Sequence, residues 1–157
     1  MTSYAQGTSV STGRTREEIE RVLIRYGATG VMAGWEPTRA VIAFLIQSRQ
    51  IRFAIPLPLP SDERFTHTPT GQKRTSLQAA KEHDQAVRAL WRSLLLIIKA
   101  KLEAVAAGVS ELEVEFFAHT VLPGGATVYD LAGPQVAVAI ETGHVPALLP
   151  RSITAGS

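Results

Sequence analysis

The chain has 157 residues, 45% hydrophobic and 19% charged, with a formal net charge of +2 and no cysteine. That length fits one domain with a sizeable core, and the lack of Cys excludes disulfides and thiolate metal sites and suits a reducing compartment, so a cytoplasmic location is expected. No apolar run approaches the roughly 20 residues that span a bilayer, and the start, MTSYAQGTSVSTGR, lacks the features of a signal peptide, so no membrane association is expected.

The charge is unevenly distributed. Residues 1–109 hold 15 of the 16 Lys/Arg and 9 of the 14 Asp/Glu, a net of +6, whereas residues 110–157 are net −4. Either the first part has an anionic partner, or the two parts pair with each other across the fold.

Residues 1–14 are small and polar and read as a flexible arm. A single globular domain is expected over 15–142, followed by an extended tail over 143–157. Thr15 with Glu18 makes a capping box, and Ile19, Val22, Leu23 and Tyr26 form one apolar stripe of a short helix that stops at Gly27. Three strands follow. Gly30–Trp35 leads into the turn Glu36-Pro37-Thr38. Arg39–Gln47 is apolar on both alternating sets, so a central strand covered on two faces is expected. After a turn at Ser48-Arg49-Gln50, Ile51–Leu59 alternates strictly, and Pro56 and Pro58 place it at a sheet edge. Short connections make the three an antiparallel meander.

Residues 60–75 read as a long polar loop without periodicity, a kind that is usually functional or disordered. Thr75 with Gln78 caps the longest Gly- and Pro-free segment, Ser76–Ala107, a helix of about 32 residues and on the order of 48 Å. Val87, Leu90, Trp91, Leu94, Ile98 and Val105 lie at core-helix spacing on it. The segment Ser110–Leu122 is ambiguous. Leu112, Val114 and Phe116 alternate with Glu111, Glu113 and Glu115, which favours a strand, while Ser110 with Glu113 is also a helix capping box. Thr127 with Asp130 caps a last helix running to Glu141, with Pro134 kinking it or delaying its start. The expected fold is α+β: a three-stranded antiparallel meander packed on one long helix, with a short N-terminal helix and a mixed C-terminal segment.

Chemistry is sparse. His67, His83, His119 and His144 show no metal-ligand spacing. Glu111, Glu113, Glu115 and Asp130 offer carboxylates for a divalent ion, against the simpler reading of a solvated strand face. Thr70–Thr75 runs into a helix N-terminus but lacks the first glycine and the Gly-Lys-Ser/Thr order of a Walker loop; what remains is a favourable place for one phosphate. No nucleophile motif is present, and neither a cofactor nor a metal is expected.

The basic residues are more informative. Lys81, Arg88, Arg92 and Lys99 fall within about 20° of a common direction on the long helix. Arg64, Lys73 and Arg74 make the 60–75 loop basic, and Arg39, Arg49 and Arg52 sit on the meander. Trp35, Phe65 and Trp91 are rings on which unpaired bases stack if they are exposed. Leu95 interrupts the helix stripe and hints at another surface packing there.

The order helix, three-stranded meander, long helix over roughly residues 15–108 resembles the core of ring-forming single-strand annealing proteins. The texture of RYGATGVMAGWEPTRAV, LLLIIKAKLEAVAAG and VLPGGATV is similar to that of small phage and mobile-element proteins. The resemblance implies a meander packed on a long helix, protomers joined into an oligomer, and single-stranded DNA as partner. The leading expectation is therefore a small non-catalytic protein that binds single-stranded DNA in phage or mobile-element DNA metabolism. The alternative is an interaction or assembly module using the LLLII region and the IPLPLP edge. A third reading is a carboxylate–metal enzyme built on Glu113, Glu115 and Asp130.

Overall fold

The structure, a computed structural model, describes the backbone of residues 2–149 and the side chains from Thr12 onward within that range. The elements are α1 (Thr2–Arg25), β1 (Thr29–Glu36), β2 (Arg39–Ile46), β3 (Arg49–Pro56), α2 (Glu63–Thr66), α3 (Ser76–Ala106), α4 (Leu112–Glu115), a 3-10 turn at Phe117–His119 and α5 (Val128–Thr142). The three strands form one antiparallel sheet in the order β1-β2-β3. The expected α+β architecture is the one found.

Strand alternation sets the two layers. Ala40, Ile42, Phe44 and Ile46 of β2 share one face with Ile51 and Phe53 of β3. That face packs against Ile19, Val22 and Leu23 of α1 and Trp91, Leu94, Ile98 and Leu102 of α3. Each large side chain buried there contributes about 1.5–3 kcal/mol. The other face of β2 carries Arg39, Val41, Ala43 and Leu45. It is only partly covered, since Leu45 is 44% exposed, so the expectation of a strand covered on both faces holds for the helix side alone. The β2–β3 hairpin turns on Gln47 and Ser48, both at positive φ (47° and 62°). Two such residues match the strand twist, so β3 starts at Arg49 rather than at Ile51.

The long helix begins as expected. The Thr75 hydroxyl accepts from the Gln78 N–H at 3.2 Å and the Gln78 side chain accepts from the Thr75 N–H at 3.0 Å. Gly108, at φ +72°, lies just past its end, a conformation that a Cβ disfavours. Leu95 is buried within this chain, and α1 packs along α3, so its place in the basic stripe marks an internal contact.

Three expectations are corrected. The first helix begins at Thr2, which places Thr15 and Glu18 inside it instead of at a cap. Segment 60–75 is not devoid of structure: Phe65 of α2 is buried and His67 bridges Lys73. Ser110–Leu122 is not a strand. Leu112 and Phe116, four residues apart, are both buried while Val114 is 66% exposed, the helical rather than the alternating period. Glu111 is the N-cap of α4, without a side-chain cap bond. Phe116 meets Phe44 and Phe53 edge-on at 5.9 and 6.2 Å. Beyond it Thr120 bridges Ile51, and the Val121 N–H donates to the Gln50 carbonyl at 2.8 Å. This return covers the free edge of β3 and limits further pairing there.

The capping box of α5 forms as expected at Thr127 and Asp130, and Pro134 is accommodated inside the helix. The uneven charge is partly resolved within the fold: Arg49 pairs with Glu113, Lys101 with Glu115 at 3.4 Å, and Arg52 approaches Asp130 at 3.7 Å. Among the described residues, no helix is long and apolar enough to cross a membrane.

Candidate nucleic-acid interface

The cations anticipated from the sequence fall into two groups. Those of the sheet and, Lys73 apart, of the loop are engaged. Arg39 is bonded to Glu36 at 3.1 Å, Arg49 to Glu113, and Arg52 to the Gly125 carbonyl at 2.8 Å. Arg39 and Arg52 lie on the outer face of the sheet and Arg49 on the helix side, so the meander arginines do not form one surface. In the loop, Arg74 turns inward and donates to the carbonyls of Arg64, Phe65 and His67 at 2.9, 3.2 and 2.9 Å. It closes the loop and is not aimed at a ligand. Arg64 lies over the Phe65 ring at 4.6 Å and 3.8 Å from Asp62. Phe65 is buried, with His83 against it edge-on, so it is a core residue and not a stacking platform. Lys73 is exposed in the loop.

The second group is the flank of α3. Lys81, Arg92 and Lys99 are exposed and Arg88 is half-buried. None of the four has a carboxylate within 4.0 Å among the described residues. Asp84 and Glu103 lie four residues from Arg88 and Lys99 on the same helix, but outside ion-pair distance, so the four cations leave a positive strip suited to a chain of phosphates.

The rings divide as well. Trp91 is 4% exposed and belongs to the core, whereas Trp35 is 59% exposed. Trp35 pairs with Ala40 in β1–β2 and so points to the helix side of the sheet. There Arg16 of α1 lies 4.5 Å from the Trp35 ring centre and 5.8 Å from that of Trp91. Arg16 therefore links Trp35 to the turn of α3 that carries Arg88 and Arg92. Its Nε is buried with no hydrogen-bond partner among the described residues. Glu17 and Glu20 share a shallow groove with it, yet no carboxylate among the described residues is within 4.0 Å of its guanidinium. Sequence reasoning missed Arg16. The available signal was its position three and seven residues before Ile19 and Leu23, which puts a cation in line with the apolar stripe of α1.

The carboxylates proposed for a divalent ion are not brought together. Glu113, Glu115 and Asp130 each face a different cation, and no group of three or more His, Asp or Glu side chains fit to hold a metal occurs among the described residues. The Ser110 side chain and then Lys101 hold the Glu115 carboxyl below its usual range, the state of an ion-pair member.

No protein-family model, curated protein or solved structure matches the chain.

Proposed function

We propose that the protein binds single-stranded DNA without chemistry of its own, along the flank of α3 that carries Lys81, Arg88, Arg92 and Lys99. Trp35 is the stacking ring and Arg16 the cation beside it. The observation that carries this reading is the split in pairing: the sheet arginines have partners, while the four α3 cations and Arg16 have no carboxylate partner among the described residues. Phosphate neutralisation by such groups is sequence-independent, and an exposed indole stacks on any base. The element order similar to that of single-strand annealing proteins supports a place in phage or mobile-element DNA metabolism. The test is the affinity of the full chain for a labelled oligonucleotide in wild type and in Arg88→Glu with Arg92→Glu. The paired reversal is expected to abolish most of the binding, and unchanged affinity would sink the reading.

A second reading, an assembly module, rests on α5. Its segment Leu131–Ile140 has no charged residue, and Val136, Val138 and Ile140 are exposed, as are Leu96 and Ile97 of α3. A helix apolar around most of its circumference is usually covered. Sedimentation that shifts with protein concentration but not with salt is the mark of this reading.

A further inference from the structure

The outer face of the sheet carries a second concavity, remote in its chemistry from the α3 flank. It is a cleft of about 650 Å³ between β2, β3 and the start of α5. Its floor is the cross-strand pair Val41 and Ala54, small and apolar. One wall is the ion pair of Glu36 and Arg39 at 3.1 Å. The other is Arg52, held by the Gly125 carbonyl at 2.8 Å, with Asp130 at 3.7 Å. The capping box of α5 fixes Asp130, since its Oδ2 accepts from the Thr127 N–H at 2.9 Å. The preceding residue, Tyr129, also lines the cleft and is 67% exposed.

The charges in this cleft balance, two guanidinium groups against two carboxylates. A bare phosphate entering it meets a carboxylate on each wall, so the cleft is a poor anion site. What it offers is an apolar floor, an aromatic ring in its lining, and donors and acceptors on both walls, in a volume within the range of small-molecule sites. A planar, uncharged ring with N–H and C=O groups along its edge uses all three. We infer that this cleft receives a single nucleobase, its faces between the Val41–Ala54 floor and Tyr129, and its edge hydrogen-bonded to the Arg and carboxylate walls. The ring chemistry is the same whether the base belongs to a free nucleoside or to an unpaired position in a strand.

The inference does not depend on the α3 flank, because the ligand's phosphates take no part in it. The full chain is titrated with adenosine, guanosine, cytidine and thymidine, followed by isothermal calorimetry and saturation-transfer NMR. Saturable binding of at least one nucleoside is expected. Ala54→Trp, which fills the floor from an exposed position, and Tyr129→Ala should each weaken it about tenfold or more, the scale of a lost stacking partner. Thermal melting confirms that both variants fold. Arg88→Glu with Arg92→Glu should leave nucleoside affinity unchanged even where it destroys oligonucleotide binding. Displacement of the nucleoside by a short oligonucleotide assigns the base to a strand, and no displacement assigns it to the free nucleoside. The inference is overturned by absence of saturable binding up to about 10 mM, a range that covers even weak contacts, or by binding indifferent to Ala54→Trp.

Discussion

The guanidinium of Arg16 lies 4.5 Å from the ring of Trp35 and, on the core side, 5.8 Å from the ring of Trp91. One cation thus spans a buried indole and an exposed one, joining α1 to β1 and to α3. A guanidinium over an indole face is held by the ring quadrupole, which positions Arg16 with no carboxylate among the described residues within ion-pair distance.

The two tryptophans should therefore respond in opposite ways. Trp91→Ala empties a core position and is expected to cost about 3–5 kcal/mol of stability. Trp35→Ala, at an exposed position, should stay within roughly 1 kcal/mol of wild type. Urea unfolding measures both. In oligonucleotide binding the order reverses: Trp35→Ala is expected to lose about 1–3 kcal/mol.

A second pair separates helix from strand in the C-terminal part. Phe116 is fully buried and Val114 is 66% exposed. Phe116→Ala should destabilise by about 3–5 kcal/mol, whereas Val114→Glu should change stability by no more than about 0.5 kcal/mol. Comparable losses from both substitutions would indicate the alternating burial of a strand.

Asp130 carries a pH signature. The Thr127 N–H, then the Thr127 side chain and, further off, Arg52 hold its carboxyl below the ordinary aspartate range. Its folded pKa lies below the unfolded one, so the stability it confers is present above the unfolded value of about 3.9 and is lost as pH falls through the lower folded value. Asp130→Asn should melt below wild type at neutral pH, and the gap should close on acidification. A gap independent of pH would contradict the cap.

His119 works with the same sign at higher pH. Burial, then the charge of Lys101, pushes its pKa down, and its ring stacks on Phe53 at 3.9 Å. The neutral ring is favoured in the fold, so its contribution is full above the ordinary value of about 6.5 and is lost as pH falls through the folded value. In melting curves, the slope of stability against pH below about 6.5 should be shallower in His119→Gln than in wild type.

These residues also indicate what was legible in the sequence. The boxes at Thr75–Gln78 and Thr127–Asp130 were readable because both partners lie within four residues. The meander was readable from alternation, and the α3 strip from its 100° spacing. Ser110–Leu122 was misread because glutamates at every second position imitate a strand, and only contact with Phe44 and Phe53 decides that Phe116 rather than Val114 is buried. The Gln47–Ser48 turn carries none of the Gly or Asn usual at positive φ. Arg16, Phe65 and Arg74 owe their roles to partners brought near by the fold: an indole across the helix–sheet seam, a histidine on α3, and three carbonyls of the same loop. Periodicity puts Arg16 on the inward face of α1 but names none of these partners.

The most direct test of the central claim is the anisotropy of a labelled single-stranded oligonucleotide titrated with the full chain across a salt series, against duplex of equal length. Binding to the single strand is expected to be the tighter of the two. The logarithm of the association constant should fall linearly with the logarithm of salt, with a slope near −3 for about four phosphate contacts, and Arg88→Glu with Arg92→Glu should flatten it by roughly half. Absence of binding at low salt, or an affinity that ignores salt, would contradict that claim.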